Sequence, residues 1–176
     1  MTWVEAKAWT ESLVYYDPVR NTHWGDWRLP RVGRIDGAAL KQDFALDGSS
    51  EMGYNIRTLN NEIPHLYYVT LGNTATHPPI ADPGPFLNTP TTWVFGQWYW
   101  TETVYPYSIS PSAYYFDFIA GMQNVSDHTN QHYAWVLRDG DVGLVPEQST
   151  FALLLLGVFL LGAGSVYLRF ANRRDA

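Results

Sequence analysis

The chain has 176 residues, a formal net charge of −6 and no cysteine, and it holds 8 Trp, 12 Tyr and 8 Phe. From Glu147 onward three arginines stand against Glu147 and Asp175, which leaves −7 on residues 1–146 and argues against nucleic acid, or an anionic polysaccharide captured by bulk charge. Without cysteine there is no disulfide framework, thiolate metal ligand or thiol nucleophile.

Residues 1–143 are enough for one domain with its own core. Met1–Leu13 is predicted to be a helix. Thr2 and Glu5 have capping-box spacing, and Thr2, Ala6, Trp9 and Leu13 share a face, so Trp9 is expected to be buried. Residues 15–23, with Asp17-Pro18 and Asn21, read as a loop. Trp24 and Trp27 then flank a tight turn at Gly25 and are expected to plug the core, with Asp26 and Arg28 bracing the turn or pairing with each other.

Residues 31–61 scatter Asp36, Asp43, Asp47 and Glu51 among glycines and serines at spacings unlike an EF-hand loop. Packing of Phe44, Leu46, Met52 and Tyr54 is expected to hold this insertion. A second helix is predicted over 61–71, with Pro64 in its first turn and Gly72 ending it, and His65 as a hydrogen-bonded wall residue. Residues 73–92 contain five prolines and read as a long surface loop, the kind of segment that carries binding specificity. Strands are predicted at 93–96, 97–102, 113–118 and 132–137, forming an antiparallel meander in which Trp98 and Trp100 share a face. The bland role of the aromatics is to fill a β-rich core. The sharper one makes Trp93, Trp98 and Trp100 a stacking surface for a saccharide or protein ligand.

Catalytic signatures are absent: there is no nucleophile elbow, phosphate-binding glycine loop, dinucleotide fingerprint or H-E-x-x-H. Glu102 and Asp117 could serve as a glycosidase pair, but the simpler reading makes them polar strand ends. His128 and His132 have i, i+4 spacing yet lack a third ligand, so no metal is assigned. Asp139-Gly140-Asp141 reads as a turn, and Asn124-Val125-Ser126 is a formal glycosylation sequon. No catalytic residue and no cofactor are expected.

Gln148–Leu168 is uncharged and is followed by Arg169, Arg173 and Arg174. At a rise of about 1.5 Å per residue such a run covers the roughly 30 Å of a bilayer core, so one transmembrane helix is predicted over 149–168. The arginines, in the basic tail 169–176, form a cytoplasmic stop that places residues 1–146 outside. A Pro-Glu element at Val145, Pro146, Glu147 and Gln148, one apolar helix and an arginine-rich end together resemble the PEP-CTERM sorting signal of Gram-negative envelope and exopolysaccharide-associated proteins. That resemblance implies recognition by exosortase, an integral-membrane protease. Gln148 stands where the motif usually has a second proline, which puts processing in question.

A second resemblance rests on an ordered set: M-T-W-x-E-A-x-A-W at 1–9, G-D-W-R-L-P at 25–30, Gly53-Tyr54-Asn55, E-I-P-H-L-Y-Y at 62–68, Leu71-Gly72-Asn73, Gly84-Pro85-Phe86, Tyr99-Trp100-Thr101-Glu102 and Y-A-W-V-L-R-D-G-D-V at 133–142. It is similar to the Lcl C-terminal domain, a bacterial family related in fold to C-type lectins. The resemblance implies a cysteine pair in the 31–61 insertion that this chain lacks. It also places the chain near formylglycine-generating enzymes in fold, whose cysteine-dependent oxidation is closed to it.

The expected architecture is therefore α+β. A C-type-lectin-like domain over 1–143, two helices packed on an antiparallel meander, precedes a sorting segment over 144–176. The expected function is that of an exported, non-catalytic protein. It would be anchored in the inner membrane before processing, then displayed at the cell surface or in a biofilm matrix, where it binds a glycan or protein. A carbohydrate-active enzyme and a matrix-structural protein are the alternatives. Export ahead of a C-terminal span needs a signal peptide, and a lectin-like sheet needs an N-terminal strand to pair with 132–137, so both are expected upstream of Met1.

Overall fold

The computed structural model describes residues 1–75, 83–86 and 98–140. Expectations on 76–82, 87–97 and 141–176 lie outside the described residues, including those on Trp93, the sorting motif, the span and the arginine tail. Residues 1–17 and 21–140 form one compact unit; 18–20 group with 141–176, and of that second group only 18–20 are described, as a turn. The described fold is α+β with mostly antiparallel pairing. Among the described residues no helix is long and apolar enough to cross a membrane.

The first helix, α1, spans Trp3–Ser12 behind the expected capping box: Thr2 Oγ1 accepts from the Glu5 N–H, and the Glu5 carboxylate accepts from the Thr2 N–H. Its buried residues are Ala6 and Thr10. Trp9 is 38% exposed, contrary to expectation, because the inward face is the one carrying Trp3, Ala6 and Thr10. The expected loop at 15–23 is instead an antiparallel hairpin, β1 (Tyr15–Asp17) against β2 (Thr22–Trp24), with Asn21 at φ 51 in its turn. Asn tolerates that left-handed conformation, so Asp17-Pro18 and Asn21 were turn signals of a hairpin.

Three long strands form the meander: β6 (Trp98–Tyr105), β7 (Ser112–Asp117) and β8 (Met122–Asp127) pair antiparallel, with β7 in the middle. Sequence analysis missed β8. Its run Met-Gln-Asn-Val-Ser-Asp is polar, and pairing with β7 rather than propensity makes it a strand. Alternation along β7 divides the core. On one side Ala113 and Tyr115 pack with Ala6, Leu29 and Trp100 under α1. On the other side Phe116 meets Ile63, Tyr67, Tyr68 and Phe118, and Tyr114 meets Val32 and Met52.

The second helix is shorter than predicted. α2 (Glu62–His65) passes directly into a π-helical turn at Leu66–Thr70, which Gly72 ends at φ 68. That turn brings both Tyr67 and Tyr68 under the sheet. Gly121, at φ 73, leaves no room for a Cβ, which would lie 2.7 Å from both Tyr67 Cε1 and Tyr68 Oη.

The expected last strand, 132–137, is broken in two. β9 (Tyr133–Ala134) pairs parallel with β6, so the sheet is not purely a meander, and β10 (Leu137–Arg138) pairs antiparallel with β3 (Trp27–Arg28) in a separate ribbon. Met1 pairs with His132 through both backbone groups, at 3.1 and 3.0 Å.

The 31–61 insertion is held differently from expectation. β4 (Phe44–Ala45) runs parallel to β5 (Met52–Gly53), which joins β8. Of the four expected anchors only Met52 is buried; Phe44 is 46% and Leu46 68% exposed. The anchor is a carboxylate. Glu51, wholly buried, accepts from the Ile35 and Lys41 backbone N–H groups at 2.9 and 2.8 Å, one on each oxygen. Buried Gln123 donates to the Glu51 carbonyl and to Asn61 Oδ1, and Asn61 donates to the Gly33 carbonyl.

Candidate functional site

Among the described residues, a network of charged side chains forms where separated pieces of sequence meet. Antiparallel pairing of β3 with β10 sets Leu137 opposite Arg28 and brings Asp139 alongside. Glu62, the first residue of α2, comes from the other direction. The Arg28 guanidinium donates to both Glu62 oxygens at 2.7 Å and also to Asp139, while Glu62 accepts from the Arg31 N–H. Arg31 continues the network to Glu102 at 3.2 Å and Asp139 at 3.4 Å. Arg28 thus turns to Glu62 and Asp139, not to Asp26 as one expectation had it. Asp26 is exposed at φ 58.

A fork-shaped cation held bidentately is rigid as well as strongly bound. Its partners hold the Arg28 guanidinium well above its ordinary pKa, and the same pairing holds Asp139 below the usual carboxylate range. Side-chain exposure rises from 13% at Arg28 to 63% at Asp139, so the network runs from interior to surface. It braces the junction of α2, β3 and β10, and it commits both carboxylates to the Arg28 guanidinium.

The two carboxylates weighed for hydrolysis are not brought together. Asp117 is spent on its own turn: Oδ1 accepts from the Ile119 and Ala120 N–H groups at 2.9 and 3.1 Å, and Oδ2 from Trp98 Nε1 at 3.1 Å. Asp117 lies opposite Trp98, whereas Glu102 is four residues further along β6, about 13 Å at the usual strand rise. A glycosidase pair needs about 5–9.5 Å.

Of the aromatic candidates, Trp93 lies outside the described residues, and Trp98 and Trp100 pack into the core under α1. Trp100 has no exposed surface, which removes it as a ligand contact, and its Nε1 donates to the Met1 carbonyl. Trp98 is half-buried, stacked on Tyr115 at 4.9 Å and fixed through Asp117. His132 is boxed by Trp100, Trp98 and Tyr115 at 4.1, 5.2 and 5.2 Å, and burial pushes its pKa below the ordinary value. His128 stacks on Trp3 at 4.2 Å. Both histidines therefore serve packing, and His65 is a wall residue as expected, its Nδ1 2.9 Å from the Arg57 carbonyl oxygen. Trp24 and Trp27 are half-buried rather than core plugs; Arg138 lies over the Trp24 ring at 4.4 Å.

Of the proline-rich segment, 83–86 is described. Phe86 packs edge-on against Trp135, which stacks on Phe118, so the loop is pinned to the core at this point. Several aromatics are exposed among the described residues, Phe44, Tyr107 and Tyr133 among them. Tyr15 and Tyr16 on β1 are 55% and 46% exposed, next to Val14 at 63%. Sequence analysis missed that surface because it read 15–23 as a loop. No family model, no curated protein and no solved structure matches the chain.

Proposed function

We propose that the chain is an exported, non-catalytic envelope protein: a binding module of C-type-lectin-like architecture over 1–143, joined to a membrane-anchoring, exosortase-type sorting segment over 144–176. The uncharged run Gln148–Leu168, closed by Arg169, Arg173 and Arg174, carries this reading. The α+β arrangement, with helices on both faces of a mostly antiparallel sheet, is compatible with a lectin-like domain. The non-catalytic part draws support from the carboxylates: Glu62, Glu102, Asp117 and Asp139 are all committed to ion pairs or turn caps. In place of chemistry the module offers a glycan or protein ligand a fixed scaffold and the 73–92 loop, pinned at Phe86.

Alkaline carbonate extraction of native membranes, followed by a glycan array probed with the full chain in detergent, tests both halves. The proposal expects the chain to stay in the pellet and to retain defined glycans without consuming them. Release into the supernatant would overturn the anchor, and turnover of an arrayed glycan would overturn the non-catalytic reading.

A further inference from the structure

Residues 128–132 meet Met1–Trp3 in a way that ligand binding does not require. The Met1 nitrogen donates to the His132 carbonyl at 3.1 Å, the His132 N–H to the Met1 carbonyl at 3.0 Å, and the Trp3 N–H to the His128 carbonyl at 3.1 Å. From the other side β6 holds the same segment. Trp100 Nε1 donates to the Met1 carbonyl at 3.1 Å, and Trp3 Nε1 donates to the Thr101 carbonyl at 2.8 Å. α1 follows directly and packs through Trp3 and Ala6 on Leu29, Trp100 and Ala113.

The ring of His132 sits inside this clamp. It is 5% exposed and lies against Trp100, Trp98 and Tyr115. Its Nδ1 is 2.7 Å from the Gln131 carbonyl oxygen, an atom that only accepts, so Nδ1 carries the proton and Nε2 is bare. Nε2 is buried and has no hydrogen-bond partner. A proton added there creates a charged donor that no acceptor receives. The Trp100 ring offsets part of that cost, but hydration of the new N–H requires the clamp to open.

The charges around the ring do not supply the acceptor. Beside it, the Met1 amino group has the same sign as a protonated imidazole. On β7, Asp117 is taken by Ile119, Ala120 and Trp98; on β6, Glu102 pairs with Arg31. Asp127 accepts from Thr129, and the His128 ring stacks on Trp3. On α1, Glu5 caps the helix and Lys7 lies over the Trp3 ring at 5.0 Å.

We propose that His132 is an acid-sensitive latch: protonation of its buried ring releases Met1–Trp3 and undocks α1 from the sheet, while β6, β7 and β8 stay paired. Acid thereby uncovers the surface of Leu29, Trp100 and Ala113 that α1 hides at neutral pH. The open ring binds a proton below about pH 6.5, whereas burial lowers the pKa of the closed ring, so opening rises by at most about tenfold per pH unit below that value.

Amide exchange of the full chain in detergent, at about pH 7.5 and 5.5 and corrected for the intrinsic pH dependence of exchange, tests this. Amides of α1 and the indole N–H groups of Trp3 and Trp100 should lose protection several-fold relative to β7 amides. His132→Phe keeps a ring in place without the titrating nitrogen and should abolish that difference. Equal loss in α1 and β7 would overturn the latch in favour of global destabilisation, and a difference that persists in His132→Phe would assign the effect to another group. Should His132→Phe fail to fold, the ring nitrogen resonances of the unmutated chain decide. Protonation of Nε2 in step with the loss of α1 protection supports the latch, and a ring that titrates near pH 6.5 while α1 stays protected overturns it.

Discussion

The two sides of β8 are stabilised by opposite means. Across β7 it borders an aromatic core in which Tyr114, Phe116 and Phe118 have no exposed surface, while across β5 it borders the 31–61 insertion, whose Glu51 and Asn61 are as fully buried as Gln123 of β8 that bonds to them. The aromatic side is held by area removed from water, a non-directional force that tolerates small shifts. The insertion is held by a few directional hydrogen bonds, each of which leaves a buried group unpaired when broken. The core therefore decides whether the chain folds, and the polar knot decides where one long, weakly patterned segment goes.

Substitutions should separate the two. Trp100→Ala, in the core under α1, should show the largest effect, about 3–5 kcal/mol in urea titrations of the full chain in detergent. A loss under 1 kcal/mol would mean that Trp100 is not the filler described. Glu51→Gln keeps the shape but cannot accept from both the Ile35 and Lys41 N–H groups, and should cost about 1–3 kcal/mol. Its distinguishing mark is local: faster amide exchange at Ile35 and Lys41 with β7 amides still protected. Uniform acceleration across both regions would erase the distinction drawn here.

Arg28→Lys replaces a fork by a point charge and should cost about 1–2 kcal/mol, most of it as loosened packing between α2 and β10. The smallest effect concerns pH. Burial holds the His132 pKa below its ordinary 6.5, so the unfolded chain takes up a proton that the folded ring resists. This ring's effect is absent above about pH 6.5, and stability declines as pH falls through and below that value. His132→Phe should flatten the decline between about pH 7 and 5, and an unchanged slope would show that the ring is not buried neutral.

What was legible in the sequence follows the same division. The Thr2–Glu5 cap and the Trp98/Trp100 face obey local rules of spacing and propensity, as does the strand predicted at 113–118, and the structure has all three, the strand as Ser112–Asp117. Trp9 failed because two helix faces were available and only the sheet chooses between them. β8 failed because its polar side chains carry no period; pairing with β7 creates it. Glu51 looked like one scattered acid among four, since nothing local marks the carboxylate on which two distant N–H groups converge. The Arg28 network was hidden for a related reason. Its motifs, at 25–30, 62–68 and 133–142, were visible one by one, but their meeting depends on β3 pairing with β10 across more than a hundred residues.

The proposed arrangement sets a folded, exported module ahead of one membrane span whose arginines stay inside. Cysteine accessibility measures this most directly: I109C and R174C introduced singly at the native locus, with a membrane-impermeant maleimide applied to spheroplasts. The account predicts rapid labelling at position 109, and labelling at 174 only after the membrane is permeabilised. Protection at 109 with free labelling at 174 would contradict it.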